Sequence, residues 1–201
     1  MMAHGATILW RRLDIAGHEA AVLLSAEGEQ VLRGVAVLGH AGRPCEMSYT
    51  IACDESRRTT RFELSGHVAG VPRSLALRRS AAGEWRVDGA VRVDLAGCAD
   101  VDLGFTPATN LLPIRRLALP VGASAQVRAA WVKFPECTVK VLEQSYARTG
   151  ATTYRYESGG GAFCRELTVA KNGLVLEYPD CWRFEALADS GGCAINLARR
   201  R

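Results

Sequence analysis

The sequence predicts a mainly β protein: a many-stranded antiparallel sheet curled as a β-roll or half-barrel around one short α-helix, at about residues 106–119. Three observations carry this. Apolar and polar side chains alternate with period two in segment after segment, the signature of half-buried strands. Glycine, proline and Asn-Gly punctuate those segments at short intervals. Only one stretch, Cys98–Leu117, leaves the alternation for helix-starting chemistry. At 201 residues the chain can bury one substantial core. A sheet of about a dozen strands must curl or close, because long open edges invite pairing with other chains.

Thr7–Leu13 and Ala20–Ser25 read as two strands around a turn at Asp14–Gly17, and Gln30–Leu38 as a longer one closed by Gly39–Pro44. In Glu46–Cys53, Met47, Tyr49, Ile51 and Cys53 share one side, opposite Glu46, Ser48, Thr50 and Ala52. In Thr59–Ser65, Thr60, Phe62 and Leu64 oppose Thr59, Arg61, Glu63 and Ser65. Ser74–Arg78, Glu84–Val87 and Ala90–Leu95 continue the pattern, with Trp85, Val87, Val91, Val93 and Leu95 on the apolar side.

Val101, Leu103 and Phe105 then alternate with Asp100, Asp102 and Gly104, an apolar face against an acidic one. Thr106-Pro107 follows, a side-chain cap and a proline suited to a first helical position. Pro113 cannot lie deep inside that helix. Either the helix breaks near Leu112, or it restarts from Asn110 with Pro113 in its first turn. Leu111, Leu112, Ile114 and Leu117 form its apolar set.

Ala125–Phe134 and Thr138–Ala147 are long strands separated by Pro135. Thr152–Glu157 sets Tyr154 and Tyr156 on one face, and Ala162–Ala170 follows the flexible Ser158–Gly161. Asn172-Gly173 accepts the positive φ angles of a tight hairpin turn before Leu174–Tyr178, and Cys181–Ala186 is the last strand. The chain reads as a single domain, residues 1–201, with a frayed tail at about 196–201.

Composition narrows the function. Hydrophobic residues make up 48% and charged residues 23%, the balance of a globular protein. All but three of the 25 basic residues are arginine, and the Arg-Arg doublets are scattered, whereas a nucleic-acid binder would concentrate them on one element. Seven cysteines, an odd number with no Cys-x-x-Cys pair, and an opening without a basic end and long apolar run point to reduced thiols in the cytoplasm. No apolar run reaches the ~20 residues of a membrane-spanning helix.

Local chemistry for catalysis is sparse. The four histidines stand apart without metal-ligand spacing, so neither a metal nor another cofactor is expected. Asp100 and Asp102 project to the same side of one strand, ~7 Å apart. Two carboxylates so placed can serve a glycosidase or share a metal, but an arginine-paired structural face is favoured. The aromatic residues Tyr49, Trp85, Trp131, Tyr146, Tyr154 and Tyr156 recur on strands, where they can line a concave surface or fill a core.

From Asp100-x-Asp102 through Pro107-x-Thr109-Asn110-x-Leu112-Pro113-Ile114-Arg115-Arg116-Leu117, the sequence resembles the bacterial Putative glycolipid-binding family. Tyr49, Thr60-Arg61, Trp85, Gly97-Cys98, Ala130-Trp131, Tyr146, Tyr154-Arg155-Tyr156 and Tyr178-Pro179 extend the likeness over nearly the whole chain. The resemblance implies a β-roll wrapped around one helix, a homodimer, and a shape relationship to half-barrel carriers of lipoproteins and glycolipids. It suggests a glycolipid-binding role in metabolism or transport, with Tyr49, Trp85, Tyr154 and Tyr156 lining a groove and Asn110, Arg115 and Arg116 at its polar mouth. Arg61, Asp100 and Asp102 are then expected to point outward, toward structural or dimer contacts. The alternatives are an enzyme acting on a glycoconjugate through Asp100 and Asp102, and an all-β interaction module without a small ligand.

Overall fold

The computed structural model describes residues 4–26 and 28–189. Cys193 and the expected frayed tail at about 196–201 lie outside the described residues. The first half of the chain supplies β1 (His4–Arg12), β2 (Gly17–Ala26), β3 (Glu29–His40) and β4 (Arg43–Cys53). It continues with β5 (Thr59–Val68), β6 (Val71–Arg79), β7 (Trp85–Val87) and β8 (Ala90–Val91). β9 (Asp100–Leu103) leads into the helix α1 (Leu111–Leu117), and β10 (Ser124–Val132) leaves it. The return run is β11 (Val139–Arg148), β12 (Thr153–Ser158), β13 (Phe163–Val169), β14 (Val175–Tyr178) and β15 (Trp182–Asp189).

Among the described residues, all fifteen strands join one sheet, in the order β8-β7-β6-β5-β4-β3-β2-β1-β15-β14-β13-β12-β11-β10-β9. Each half is a meander, and the antiparallel β1–β15 pair splices the halves together. β9 and β10 pair in parallel, because the segment between them crosses over through the helix instead of making a hairpin. The ladder does not close. Bonds between loops and side chains bridge its two halves instead: Thr59 N–H donates to the Ala99 carbonyl (3.0 Å), and the Arg79 and Trp85 side chains both donate to that of Cys98.

The inner face of the roll carries Ile8, Trp10, Leu23, Leu32, Met47, Ile51, Phe62 and Leu77, all buried. The helix lies against this core with Leu111, Leu112 and Ile114 buried and Leu117 half-buried. Its start is the restart from Asn110: a 3-10 turn, Ala108–Asn110, precedes α1, and Pro113 sits in the first α turn, where a missing N–H costs no helical bond. The expected bounds of 106–119 were therefore too wide. Thr106 still caps, its hydroxyl accepting the Ala108 N–H at 2.9 Å from just outside the turn. Ala118, with φ of 44°, ends the helix in a left-handed conformation.

The expected strand Ala90–Leu95 is a correction. β8 is two residues long, Val93–Leu95 is a 3-10 turn, and Val91 and Val93 are exposed. Arg92 forks onto Asp94 and donates to the Val139 carbonyl, drawing the chain off the edge of the sheet and toward β11.

Candidate functional site

The sheet face opposite the core carries a trough of about 1190 Å³ across β15, β1, β2, β3, β4 and β5. Strand register builds it from two neighbouring rows. Ala186, Leu9, Ala20, Val35, Ser48 and Ser65 form one, apolar over its first four members. Ala188, Thr7, Val22, Arg33, Thr50 and Glu63 form the other, and it grows polar along its length. Small side chains (Ala186, Ala20, Ser48 and Ser65 in the first row, Ala188, Thr7 and Thr50 in the second) leave the floor low. Glu185, which pairs with Arg11, and Glu63, which pairs with Arg78, stand at opposite ends.

Behind this floor lies a buried acid. Glu19, 1% exposed, accepts hydrogen bonds from Tyr49 Oη (2.5 Å) and Thr106 Oγ1 (2.7 Å) on the same oxygen, Oε1. Tyr49 reaches it by lying across Gly34 of β3, where any Cβ would collide with the ring. Burial pushes the Glu19 carboxyl up to about 7, against the lowering effect of the two hydroxyl donors and the Arg12 charge. A folded-state value raised above the ordinary 4.5 means that the native protein holds a proton the unfolded chain releases. Stability should therefore fall as pH rises from 4.5 to 7, with the full penalty above pH 7. Glu19→Gln should flatten this slope, gaining roughly 3 kcal/mol on the parent between its acidic and basic ends. Urea melts across that range check it; parallel pH profiles for the two proteins would show Glu19 to be ionised throughout.

A second polar network lies under the helix. Arg116 grips the buried Asp100 with a fork of bonds, the shortest 2.6 Å. Gln144 Nε2 donates both to Asp102 Oδ2 (3.1 Å) and to Tyr156 Oη (3.0 Å). Tyr146 Oη donates to Asn110 Oδ1 (2.9 Å). Burial raises both aspartates, Asp102 to about 6, and the neighbouring Asp100 charge adds to the Asp102 shift. Asp100 and Asp102 do not point outward, because the side of β9 that carries them is the side the helix covers; Arg61 on β5 is exposed. Neither aspartate lines the trough or the second cavity described next.

That second cavity, about 410 Å³, opens at the end of the helix and includes Arg115 and Tyr154. The seven residues expected around one groove are therefore dispersed. Tyr49 backs the trough, Arg115 and Tyr154 line the smaller cavity, and Asn110, Arg116 and Tyr156 belong to the network under the helix. Trp85 is buried, its Nε1 bonded to the Cys98 carbonyl at 3.0 Å. Glu19 was missed, although a signal existed: it stands in phase with Ala21 and Leu23, an acid on an apolar face. Among the described residues no cluster of three or more His, Cys, Asp or Glu is placed to hold a metal ion.

Comparison with known proteins agrees with the resemblance read from the sequence. A family model described as Putative glycolipid-binding matches residues 7–183. No curated protein matches the chain. Among solved structures, the 1.80 Å crystal structure of a DUF1089 family protein from Pseudomonas aeruginosa superposes with a TM-score of 0.72. It shares 29% sequence identity, over 82% of this chain and 91% of that one.

Proposed function

The chain belongs to the Putative glycolipid-binding family, and from that premise we propose that it binds a glycolipid in the trough, as a carrier or sequestering protein in glycolipid metabolism or transport. The observation that carries this reading is the pairing of the two rows. Leu9, Ala20, Val35 and Ala186 offer an apolar track for acyl chains. Alongside it, Arg33, Thr50 and Glu63 offer donors and acceptors for sugar hydroxyls. An amphipathic lipid lying along the rows would satisfy both.

A homodimer in the cytoplasm is part of the same reading. The six described cysteines are free, which fits a reducing compartment. Among the described residues no helix is long and apolar enough to cross a membrane.

Native mass spectrometry of protein purified from its host tests the proposal, with a dodecyl glucoside titration as the quantitative arm. A glycolipid adduct on the parent is expected. Val35→Lys places a charge on the apolar row at an exposed position, so it should remove the adduct while changing stability by only about 0.5 kcal/mol. Binding that survives Val35→Lys would place the ligand elsewhere. A dimer that dissociates on the same substitution, with no adduct on the parent, would make the trough a subunit interface and overturn the reading.

A further inference from the structure

The smaller cavity is cationic. Arg57, Arg115, Arg148 and Lys171 line it, together with Tyr154, Thr152, Asn172 and apolar residues, and among the described residues no aspartate or glutamate belongs to its lining. Elsewhere on the molecule arginines commonly meet carboxylates, as Arg12 does Asp14, Arg128 does Glu143 and Arg183 does Glu177. Here two are held by backbone instead. Arg57 Nη1 donates to the Arg115 carbonyl at 2.7 Å. Arg148 donates to the carbonyls of Leu119, Gly150 and Ala151 and lies over the Tyr154 ring. Such bonds fix the guanidinium groups, and among the described residues no ion pair compensates their charge.

Arg115 differs from both. It is half-buried, its aliphatic stem lying beside Gly173, where a Cβ would meet Arg115 Cγ and Leu111 Cδ1 at 3.0 Å, so the lack of a side chain lets the hairpin turn approach the helix. No hydrogen bond or ion pair among the described residues engages its guanidinium. Arginine remains charged in such a site, and its planar fork matches the oxygens of a phosphate. Desolvating an uncompensated guanidinium beside two other fixed cations is costly, and a bound anion would offset that cost.

We propose that this cavity is an oxyanion site for a phosphate group, with Arg115 as the central donor and Arg57, Arg148 and Lys171 supplying the surrounding positive charge. The shared chemistry is the phosphoryl group, whether of inorganic phosphate or of a lipid headgroup. This assignment stands independently of the trough.

Calorimetric titration of the full chain with inorganic phosphate at low ionic strength tests it, against sodium chloride at matched ionic strength. Saturable phosphate binding is expected, weakening with added salt. Arg115→Gln keeps the stem on Gly173 and should weaken phosphate about tenfold or more. Lys171→Ala, at an exposed side chain, should weaken it severalfold and serves if the first variant fails to fold. Val35→Lys should leave it unchanged. A short-chain phosphatidic acid that binds more tightly than phosphate assigns the site to a headgroup, and equal binding assigns it to the free anion. Chloride reproducing the phosphate response, or phosphate affinity unmoved by the Arg115 or Lys171 substitution, overturns the proposal.

Discussion

Truncating Leu112 to alanine should destabilise the protein by about 2–5 kcal/mol, the range for a buried leucine that leaves a cavity behind. Leu112 is 2% exposed on a helix of seven residues, too short to be stable in water by itself. The helix therefore depends on the core that its Leu111, Leu112 and Ile114 join, and removing one of these buried side chains weakens that packing. Leu117→Ala, on the half-buried side, should cost visibly less. Urea melts at fixed protein concentration measure both. A Leu112→Ala protein that melts like the parent would mean that the helix adds little to the core.

Asp100→Ala should cost about 3–5 kcal/mol, because it strips the partner from a guanidinium that the fold keeps mostly out of water. The Asp100 and Arg116 side chains are only 3% and 15% exposed. The pair also anchors the last turn of the helix to β9, so its loss acts on two elements at once. The double substitution Asp100→Ala with Arg116→Met should recover much of the loss, since no uncompensated charge remains. A double-mutant cycle in urea supplies the coupling energy. Strictly additive losses would show that Asp100 and Arg116 contribute separately.

Much of the fold was legible because its determinants are local. The Thr106-Pro107 start of the helical segment, the Asn172-Gly173 turn and the alternation in β4 and β5 each depend on residues within a few positions of one another. Failures came where a local pattern lacked its neighbour. Val91 and Val93 alternate like a strand, but no sheet lies beyond β8 to cover them, and the Arg92 side chain turns the chain away.

For function, alternation told which residues share a face and nothing about which face is covered. Asp100 and Asp102 plainly point the same way, yet only the crossover that lays the helix on that side makes it an interior. Likewise β3 presents Leu32, Gly34 and Ala36 to the core and Val35 and Val37 to the other side, so neither face announces itself as a groove. The trough comes into being only when the β1–β15 pairing aligns Leu9 with Ala186 and Thr7 with Ala188. The cationic cavity likewise needs the β4–β5 turn, the helix end and two hairpin turns of the return run to converge. The sequence by itself determined most of the strands, their alternating faces and the place of the helix, because those follow from side-chain period and capping. Register, the splice between the two halves and the sites they create were decided by tertiary structure alone, because they depend on pairings between residues from opposite ends of the chain.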